Sequence, residues 1–251
     1  MQGHSPGRRY GNRIELTKSR TGYPFGAIVR HLLLKLLYQH IPDKSSILTS
    51  KRVLSIQQKS DGVTVTCQDG SSYTGDILVG ADGVHSVVRK TMQDSIESEK
   101  PGATKRDREG PFAEFTCIFG ISKKMPAIEA AGKGAFHRTY SKGHSTIVTM
   151  GPDGLVYWFF LSKLKKKYVG KDIPTYGEQD IEEAVKPFLN LHVTDKVSCG
   201  EIWENRTTAN MSCTEESKNE NWSSGRIVCL GDAIHKVNKR SSYFHGLADN
   251  R

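Results

Sequence analysis

The sequence predicts a mixed α/β fold, in which an incomplete Rossmann-like α/β domain is combined with a domain built on an antiparallel sheet. Two short, mainly apolar runs, residues 77–79 and 226–230, are each followed directly by a glycine. Such runs are typical of buried strands in a parallel sheet. Between them lie several strand-like segments with turn residues, which indicate the antiparallel domain.

The α/β part begins with a helical pattern. Apolar residues recur at i, i+3 and i+4 spacing over residues 25–41, which predicts an amphipathic helix that ends before Pro42. Three short strands joined by Asp-Gly turns then predict a small antiparallel meander. These strands cover residues 51–58, 63–68 and 71–74. The next run, 77–79, is expected to be a strand buried on both faces, and a helix is expected over residues 84–92.

A charged segment with Pro and Gly, residues 94–111, is expected to be a linker to the β-rich region. Beyond it, the predicted strands cover residues 114–121, 146–150 and 155–161, and the predicted helix covers 179–191, with a kink at Pro187. The lysine-rich run 163–167 is expected to be a solvated loop.

These patterns predict a division of the chain into domains. Residues 1–24 are expected to be irregular, and residues 238–251 are treated as a separate tail. Residues 25–93 and 222–237 are expected to form parts of the α/β domain, and residues 112–221 the β-rich domain.

Composition narrows the functional class. The 251 residues are 36% hydrophobic and 25% charged, as in a globular protein, and the formal net charge is +9. This excess is compatible with nucleic acid, an acidic membrane surface or an anionic cofactor, but no nucleic-acid-binding motif is present and we expect no nucleic-acid partner. Five widely spaced cysteines without a C-x-x-C pair indicate neither a zinc site nor a disulfide framework. No signal peptide or transmembrane run is visible, so an intracellular setting is the default expectation.

The first segment that carries chemistry is GADGVHSVVR, residues 80–89. It is predicted to contain the end of a strand, a turn flanked by glycines and the start of a helix. Ser86 lies near the first turn of that helix. Free backbone N–H groups and the helix dipole favour an anion at such a place, and a pyrophosphate is one candidate. An ordinary turn between a strand and a helix explains the pattern about equally well.

The second segment is GRIVCLGDAIH, residues 225–235. A buried strand again ends in glycine, and a carboxylate, Asp232, follows Gly231 directly. Asp232 either caps the next helix, which is the commoner role of such a residue, or accepts hydrogen bonds from the hydroxyls of a ligand.

Together the two segments resemble the aromatic-hydroxylase-like (group A) FAD-dependent monooxygenases, which carry G-A-D-G-x-x-S-x-x-R in mid-chain and G-D-A/S-x-H later. Stretches such as GPDGLVYWFF and WSSGRIVCLGDAIHKV are similar to fungal enzymes of this family that epoxidise prenyl chains in meroterpenoid and indole-diterpene pathways. The resemblance implies FAD as cofactor, NADPH as reductant, O2 as co-substrate, and a terpenoid or prenylated small molecule as substrate. It allows membrane association of a longer form.

The resemblance also implies the site residues. The cofactor-binding residues would be Arg30, Asp82, Gly83, Arg89, Gly231 and Asp232. Arg30 would reach FAD from the first helix, although a solvated arginine is the alternative. Asp232 would bind the ribityl chain of the flavin. Tyr140 is a candidate hydrogen-bond donor near the point of oxygen transfer, and packing is its commoner role.

The sequence departs from the family pattern in three places. The first motif is not preceded by the strand, G-x-G-x-x-G segment and helix of the family. The sequence after Val237 does not continue the family pattern. Val29 stands where the family usually has an acidic residue. The sequence is therefore expected to be a piece truncated at both ends. Two hypotheses stay open: a monooxygenase, expected to be an epoxidase or hydroxylase, and an inactive fragment or pseudo-enzyme that cannot hold FAD.

Overall fold

The computed structural model describes residues 19–23, 28–129, 136–151 and 153–236. Residues 19–21, which were expected to be irregular, are helical. The α-helices that lie wholly within the described ranges are α1 (Arg30–Gln39), α2 (Val87–Glu99), α3 (Pro126–Glu129), α4 (Glu178–Val185) and α5 (Cys199–Glu204). The first eight strands are β1 (Val53–Gln58), β2 (Val63–Cys67), β3 (Ser72–Gly75), β4 (Leu78–Gly80), β5 (Phe112–Ser122), β6 (Phe136–Ser141), β7 (His144–Met150) and β8 (Val156–Val169). The other six are β9 (His192–Thr194), β10 (Val197–Ser198), β11 (Arg206–Lys218), β12 (Ser223–Ser224), β13 (Ile227–Cys229) and β14 (His235–Lys236).

The chain forms two compact units. The first contains the described residues within 1–42, 115–165 and 174–213, and the second contains those within 43–114, 166–173 and 214–251. Both units mix helices with strands, and antiparallel pairing dominates. The predicted mixed fold with an antiparallel sheet is confirmed.

A large sheet dominates the first unit. Within this unit the strands follow the order β11-β5-β8-β7-β6, and β6, β7 and β8 pair antiparallel. Because side chains alternate across a strand, Trp158 and Phe160 of β8 face the same side, where their rings stack at 4.7 Å. Phe160 stacks in turn on Phe188 at 5.1 Å. This side of the sheet is the core of the unit, and α4 and α5 contribute to it.

A buried hydrogen-bond relay fixes the centre of that core. The indole N–H of Trp158 donates to Ser122 Oγ at 2.9 Å, and the Ser122 hydroxyl donates to the carbonyl of Ile202 at 2.6 Å. Gly120 makes room for this arrangement, since a Cβ there would lie 2.9 Å from Cε2 of the Trp158 indole. Both polar groups are thus satisfied inside an apolar core.

The second unit contains the predicted meander, and the sheet order β1-β2-β3 confirms it. A separate three-stranded sheet has the order β12-β13-β4, in which β13 and β4 run parallel. Helix α2 packs on one face of this sheet through Val88 and Met92, which lie against Ile227 and Cys229.

The expectation that residues 77–79 are buried on both faces is wrong. Ile77 is 67% exposed, Val79 is 51% exposed, and Leu230 beyond β13 is 47% exposed. The reason is that α2 covers only the opposite face, toward which Gly80, Ile227 and Cys229 point. Within the described ranges nothing covers the other face, which is left as an exposed apolar patch.

Three further expectations need correction. Residues 94–99 are the end of α2 rather than part of a linker, and residues 163–167 belong to strand β8 rather than to a loop, although these lysines are solvated as expected. The helix predicted over residues 179–191 ends at Val185 and is followed by a 3-10 turn that contains Pro187, because proline removes the N–H that the helix would use. The first predicted helix is observed over Arg30–Gln39, with its apolar side chains exposed, and residues 25–27 lie outside the described ranges.

The closeness of α2 to the parallel strands leads to a first prediction. A Cβ on Gly80 would lie 2.7 Å from Val88 Cβ and 3.0 Å from Cys229 Sγ. Gly80→Ala should therefore lower the free energy of unfolding by about 1–3 kcal/mol through overpacking. Urea denaturation of the purified chain measures this change.

The matched control is Gly75→Ala at the end of β3, where the nearest atom to a new Cβ is a carbonyl oxygen at 3.9 Å. That variant should unfold within about 1 kcal/mol of the parent. Equal destabilisation by both substitutions would contradict the tight packing at Gly80.

Candidate functional site

The two motif segments meet at one edge of the parallel strand pair. Cys229 of β13 lies beside Gly80 of β4 in register, and the amide of Leu230 donates to the carbonyl of Gly80 at 2.9 Å. The segments that follow, 81–86 and 230–234, therefore leave the sheet next to each other. The carboxyl ends of adjacent parallel strands are where open α/β sheets bind ligands.

Asp82 caps helix α2. Its carboxylate accepts hydrogen bonds from the backbone N–H of Val87 at 2.8 Å and of Val88 at 3.2 Å, and from the Ser86 hydroxyl. Ser86 Oγ in turn accepts the backbone N–H of Arg89 at 2.8 Å. The first amides of α2 are thus occupied, and the expectation that they are free for a pyrophosphate is wrong for these three. A carboxylate supplied by the chain occupies the place where an anionic ligand was expected.

Gly83 turns the chain between the strand and the helix. Its φ is +79°, and nothing lies within 4 Å of the position that a Cβ would take. A side chain there would be strained rather than crowded. The carbonyl of Gly83 accepts the backbone N–H of Ser86 at 3.1 Å, which closes the turn.

Arg89 joins the two motif segments. Its guanidinium donates to the carbonyl of Val84 at 2.6 Å and also to the carbonyl of Ala233, which lies 144 residues further along the chain. The fork of an arginine holds two acceptors at fixed geometry, and a lysine cannot reproduce this. The half-buried guanidinium of Arg89 is therefore held between the two turns.

The second segment forms a 3-10 turn over Gly231–Ala233. Gly231 has φ +59°, with open space around its Cα, and its carbonyl accepts the amide of Ile234 at 3.1 Å. Ala233 and Ile234 are fully buried and anchor the turn. Asp232 lies between these fixed points, is exposed, and has no hydrogen-bond partner in the part of the chain that the structure describes. It is a positioned carboxylate with its acceptor sites open.

Cys229 lies directly behind this edge and is a packing residue. It is 1% exposed, and burial raises the pKa of its thiol, with a further contribution from the Asp82 carboxylate. A thiol that stays protonated is a poor nucleophile. The polar chemistry of the edge therefore rests on the carboxylate of Asp232 and on backbone groups.

The structure brings together five of the seven predicted site residues. Asp82, Gly83, Arg89, Gly231 and Asp232 all lie at the edge described above. The other two belong to the first compact unit: Arg30 is the first residue of α1, and Tyr140 lies within β6, opposite Ser145 of β7. Tyr140 was expected between strands and instead has a strand of its own. The roles of both residues stay predictions.

Sequence reasoning missed a buried amide that supports the site. Asn219 donates to the carbonyl of Ile234 at 2.6 Å and accepts from Gln93 of α2 at 3.1 Å. It thereby ties the helix to the segment that follows Asp232. No local pattern distinguishes a buried asparagine from one in a surface turn, so only the tertiary structure identifies it.

A second missed residue is Asp107, which lies in the segment expected to be a linker. Its buried carboxylate accepts the backbone N–H groups of Glu220 at 2.7 Å and Asn221 at 3.1 Å. A charged acceptor that satisfies two amides is a strong local restraint. It fixes the stretch that leads from β11 toward β12.

The edge can bind hydroxyl groups. An ionised carboxylate is an acceptor only, so Asp232 suits a ligand that offers several O–H donors.

The described residues contain no group of three or more His, Cys, Asp or Glu side chains placed to hold a metal ion. They also contain no helix that is long and apolar enough to span a membrane.

The chain matches a known protein family. The model of the FAD binding domain matches residues 12–239. Among similar curated proteins, the FAD-dependent monooxygenase BOA8 of Botryotinia fuckeliana is 42% identical over 226 residues, which are 88% of this chain and 29% of that protein. The FAD-dependent monooxygenase ptmM of Penicillium ochrochloron is 38% identical, over 89% of this chain and 52% of that protein. The chain thus spans between about a third and half of the length of these relatives.

Solved structures share the fold. HpxO of Klebsiella pneumoniae complexed with FAD and uric acid has a TM-score of 0.63 at 21% identity, over 90% of this chain and 53% of that one. The 2,6-dihydroxypyridine-3-hydroxylase of Arthrobacter nicotinovorans has a TM-score of 0.62 at 14% identity, over 94% of this chain and 69% of that one.

The contrast between the two aspartates leads to a second prediction. Asp82→Ala removes a charged acceptor from two amides and a hydroxyl, so it should lower the free energy of unfolding by about 1.5–3 kcal/mol. Asp232→Ala removes a carboxylate without partners among the described residues and should change it by less than about 0.5 kcal/mol. Urea denaturation of both variants beside the parent checks this. A larger loss from Asp232→Ala than from Asp82→Ala would contradict the assignment.

Proposed function

The chain belongs to the FAD binding domain family, and on this premise we propose that it is part of an FAD-dependent monooxygenase. The proposed reaction is the epoxidation or hydroxylation of a terpenoid or prenylated intermediate in fungal secondary metabolism, with NADPH as reductant and O2 as co-substrate. The single observation that carries the proposal is the open carboxylate of Asp232 at the edge of the parallel strands.

The residues at this edge fit the ribityl part of FAD. Asp232 is an acceptor without a partner in the described ranges, and the backbone around Gly231 is open, so a chain of hydroxyls can approach both. The capped start of α2 does not fit a pyrophosphate through its first amides, since Asp82 and Ser86 occupy them. We therefore assign Asp232 a direct contact with the cofactor and Asp82 the positioning of the turn.

FAD, when bound, supplies the redox and oxygen chemistry that no amino-acid side chain provides. The residues of this chain bind and orient it. Arg89 and Asn219 hold the backbone on either side of Asp232. Arg30, the first residue of α1, is a further proposed FAD-binding residue, and its side chain is exposed.

The antiparallel sheet of the first unit is the proposed substrate platform. Its core face is filled by Trp158, Phe160 and their neighbours, so the proposed ligand would contact the other face. By strand register, Tyr140, Leu161, Ile147 and Phe159 share that other face. Leu161 and Ile147 are buried there, so the half-buried Phe159 and the phenols of Tyr140 and Tyr157 are the groups left for contact. Such groups suit a terpenoid that is held by packing, and Tyr140 is the proposed hydrogen-bond donor.

We propose that the division into domains follows function. Residues 25–93 and 222–237 would contribute to the FAD-binding domain, and residues 112–221 to the substrate domain.

A second candidate is a fragment that cannot hold FAD. The observation that favours it is the exposed apolar patch of Ile77, Val79 and Leu230, a surface that soluble proteins usually cover. Flavin content of the purified chain separates the two candidates: stoichiometric FAD in a monomeric preparation would exclude the second.

The proposal is tested by FAD affinity in a form of the protein that is extended to the length of its relatives and retains flavin. There, Asp232→Ala should raise the Kd for FAD roughly tenfold to a hundredfold, because a charged acceptor of a ligand hydroxyl is lost. Quenching of flavin fluorescence measures the Kd, and NADPH oxidation with a prenylated substrate measures the activity.

Two variants serve as controls in the same titration. Asp61→Ala removes an exposed carboxylate in the turn of the meander and should leave the Kd unchanged. Asp82→Ala should change the Kd less than Asp232→Ala does. An Asp232→Ala protein with the parent's Kd would refute the cofactor assignment.

A further inference from the structure

The second half of β8 is a strongly basic surface that the proposed function does not use. Pairing with β7 ends at Ser162, opposite His144, and the amide of Lys163 donates to Gly143 at 3.0 Å. From there β8 runs on to Val169 without β7 beside it. We call its four exposed lysines, Lys163, Lys165, Lys166 and Lys167, the lysine strand.

No carboxylate of the described residues compensates the charge of the lysine strand. None of its four ammonium groups forms an ion pair with a carboxylate of the described residues. Other surface cations do so, namely Lys51, Arg106, Arg108, Lys186, Arg206 and Lys236. Four neighbouring like charges repel one another, so an anionic partner would relieve a cost that is already present.

The geometry of the strand aligns three of these charges. Because side chains alternate, Lys163, Lys165 and Lys167 share one face, at a spacing of roughly 6.6 Å along the strand. Val169, which is 40% exposed, continues the same face. Lys167 lies 3.7 Å from the ring centre of Phe112, and Lys166 lies 5.0 Å from that of Tyr168. The surface thus combines charged tips with apolar and aromatic groups.

A flat anionic surface fits this row better than a small anion does. The charges form a line rather than a pocket, and the exposed valine at its end suits the boundary between headgroups and acyl chains. We infer that the lysine strand binds a lipid bilayer that contains anionic phospholipid. This inference rests on the proposed function, since apolar prenylated substrates concentrate in membranes.

Lysines also protect free strand edges from aggregation, which is the competing explanation for this row. Edge protection needs charge of either sign and does not require an anionic surface. The two explanations therefore differ in what the protein binds, not in whether it stays soluble.

The test is sedimentation of the purified chain with vesicles. Vesicles of phosphatidylcholine and phosphatidylserine should carry the protein down, and vesicles of phosphatidylcholine alone should not. Replacement of the four lysines by glutamine should weaken binding roughly a hundredfold, and ~0.5 M salt should have a similar effect on the parent. A fourfold Lys→Arg variant keeps the charge and should bind like the parent.

The matched control replaces four exposed lysines outside the lysine strand, Lys59, Lys105, Lys142 and Lys196, by glutamine and changes the net charge equally. Equal loss of binding in both glutamine variants, or no binding of the parent, would overturn the inference. So would retention on an oligonucleotide without any binding to vesicles.

If the fourfold glutamine variant aggregates without lipid, the milder pair Lys165→Gln and Lys167→Gln replaces it. A soluble pair variant that binds vesicles like the parent would overturn the inference in favour of edge protection. None of these measurements involves flavin, so their failure leaves the Asp232 titration intact, and the reverse also holds.

Discussion

The guanidinium of Arg89 is the interaction on which the candidate site depends. It donates to the carbonyls of Val84 and Ala233, and so it clamps the turns that follow two parallel strands. The parallel pairing of β4 with β13 brings these turns to one edge, and the absence of a side chain at Gly80 lets helix α2 approach closely enough for Arg89 to reach both. Since the acceptors are backbone oxygens, the clamp depends on the path of the chain rather than on the identity of residues 84 and 233.

This clamp explains why two aspartates in similar motifs have different tasks. Asp82 lies before helix α2, and its carboxylate accepts hydrogen bonds from the amides of Val87 and Val88 and from the Ser86 hydroxyl. Asp232 lies in a turn that is held by Arg89 and by the burial of Ala233 and Ile234. Its own side chain is therefore not needed to hold the turn. A carboxylate that is positioned by its neighbours and not bound by them is preorganised for a ligand.

Much of the fold could be predicted from the sequence because local patterns dictate it. The short strand-like segments and the Asp-Gly turns predict the meander of β1 to β3. The apolar runs that end in glycine predict β4 and β13. The burial of residues 77–79 could not be predicted, because burial depends on what packs against a strand and not on its own composition. The occupied amides of α2 were missed for a related reason: Asp82 reaches them only through the turn at Gly83. The roles of Asn219 and Asp107 have no local sequence signature, because their hydrogen bonds join segments more than 100 residues apart.

The most direct test of the account is amide hydrogen exchange by NMR in the Arg89→Lys variant, which keeps the charge but loses the fork. The amide of Ile234, which closes the turn at Asp232, should exchange roughly tenfold to a hundredfold faster than in the parent, because loss of a hydrogen bond from a charged donor loosens that turn. The amide of Val65 in the middle of the meander should keep its rate. Unchanged exchange at Ile234, or equal acceleration at Ile234 and Val65, would contradict the claim that Arg89 fixes the candidate site.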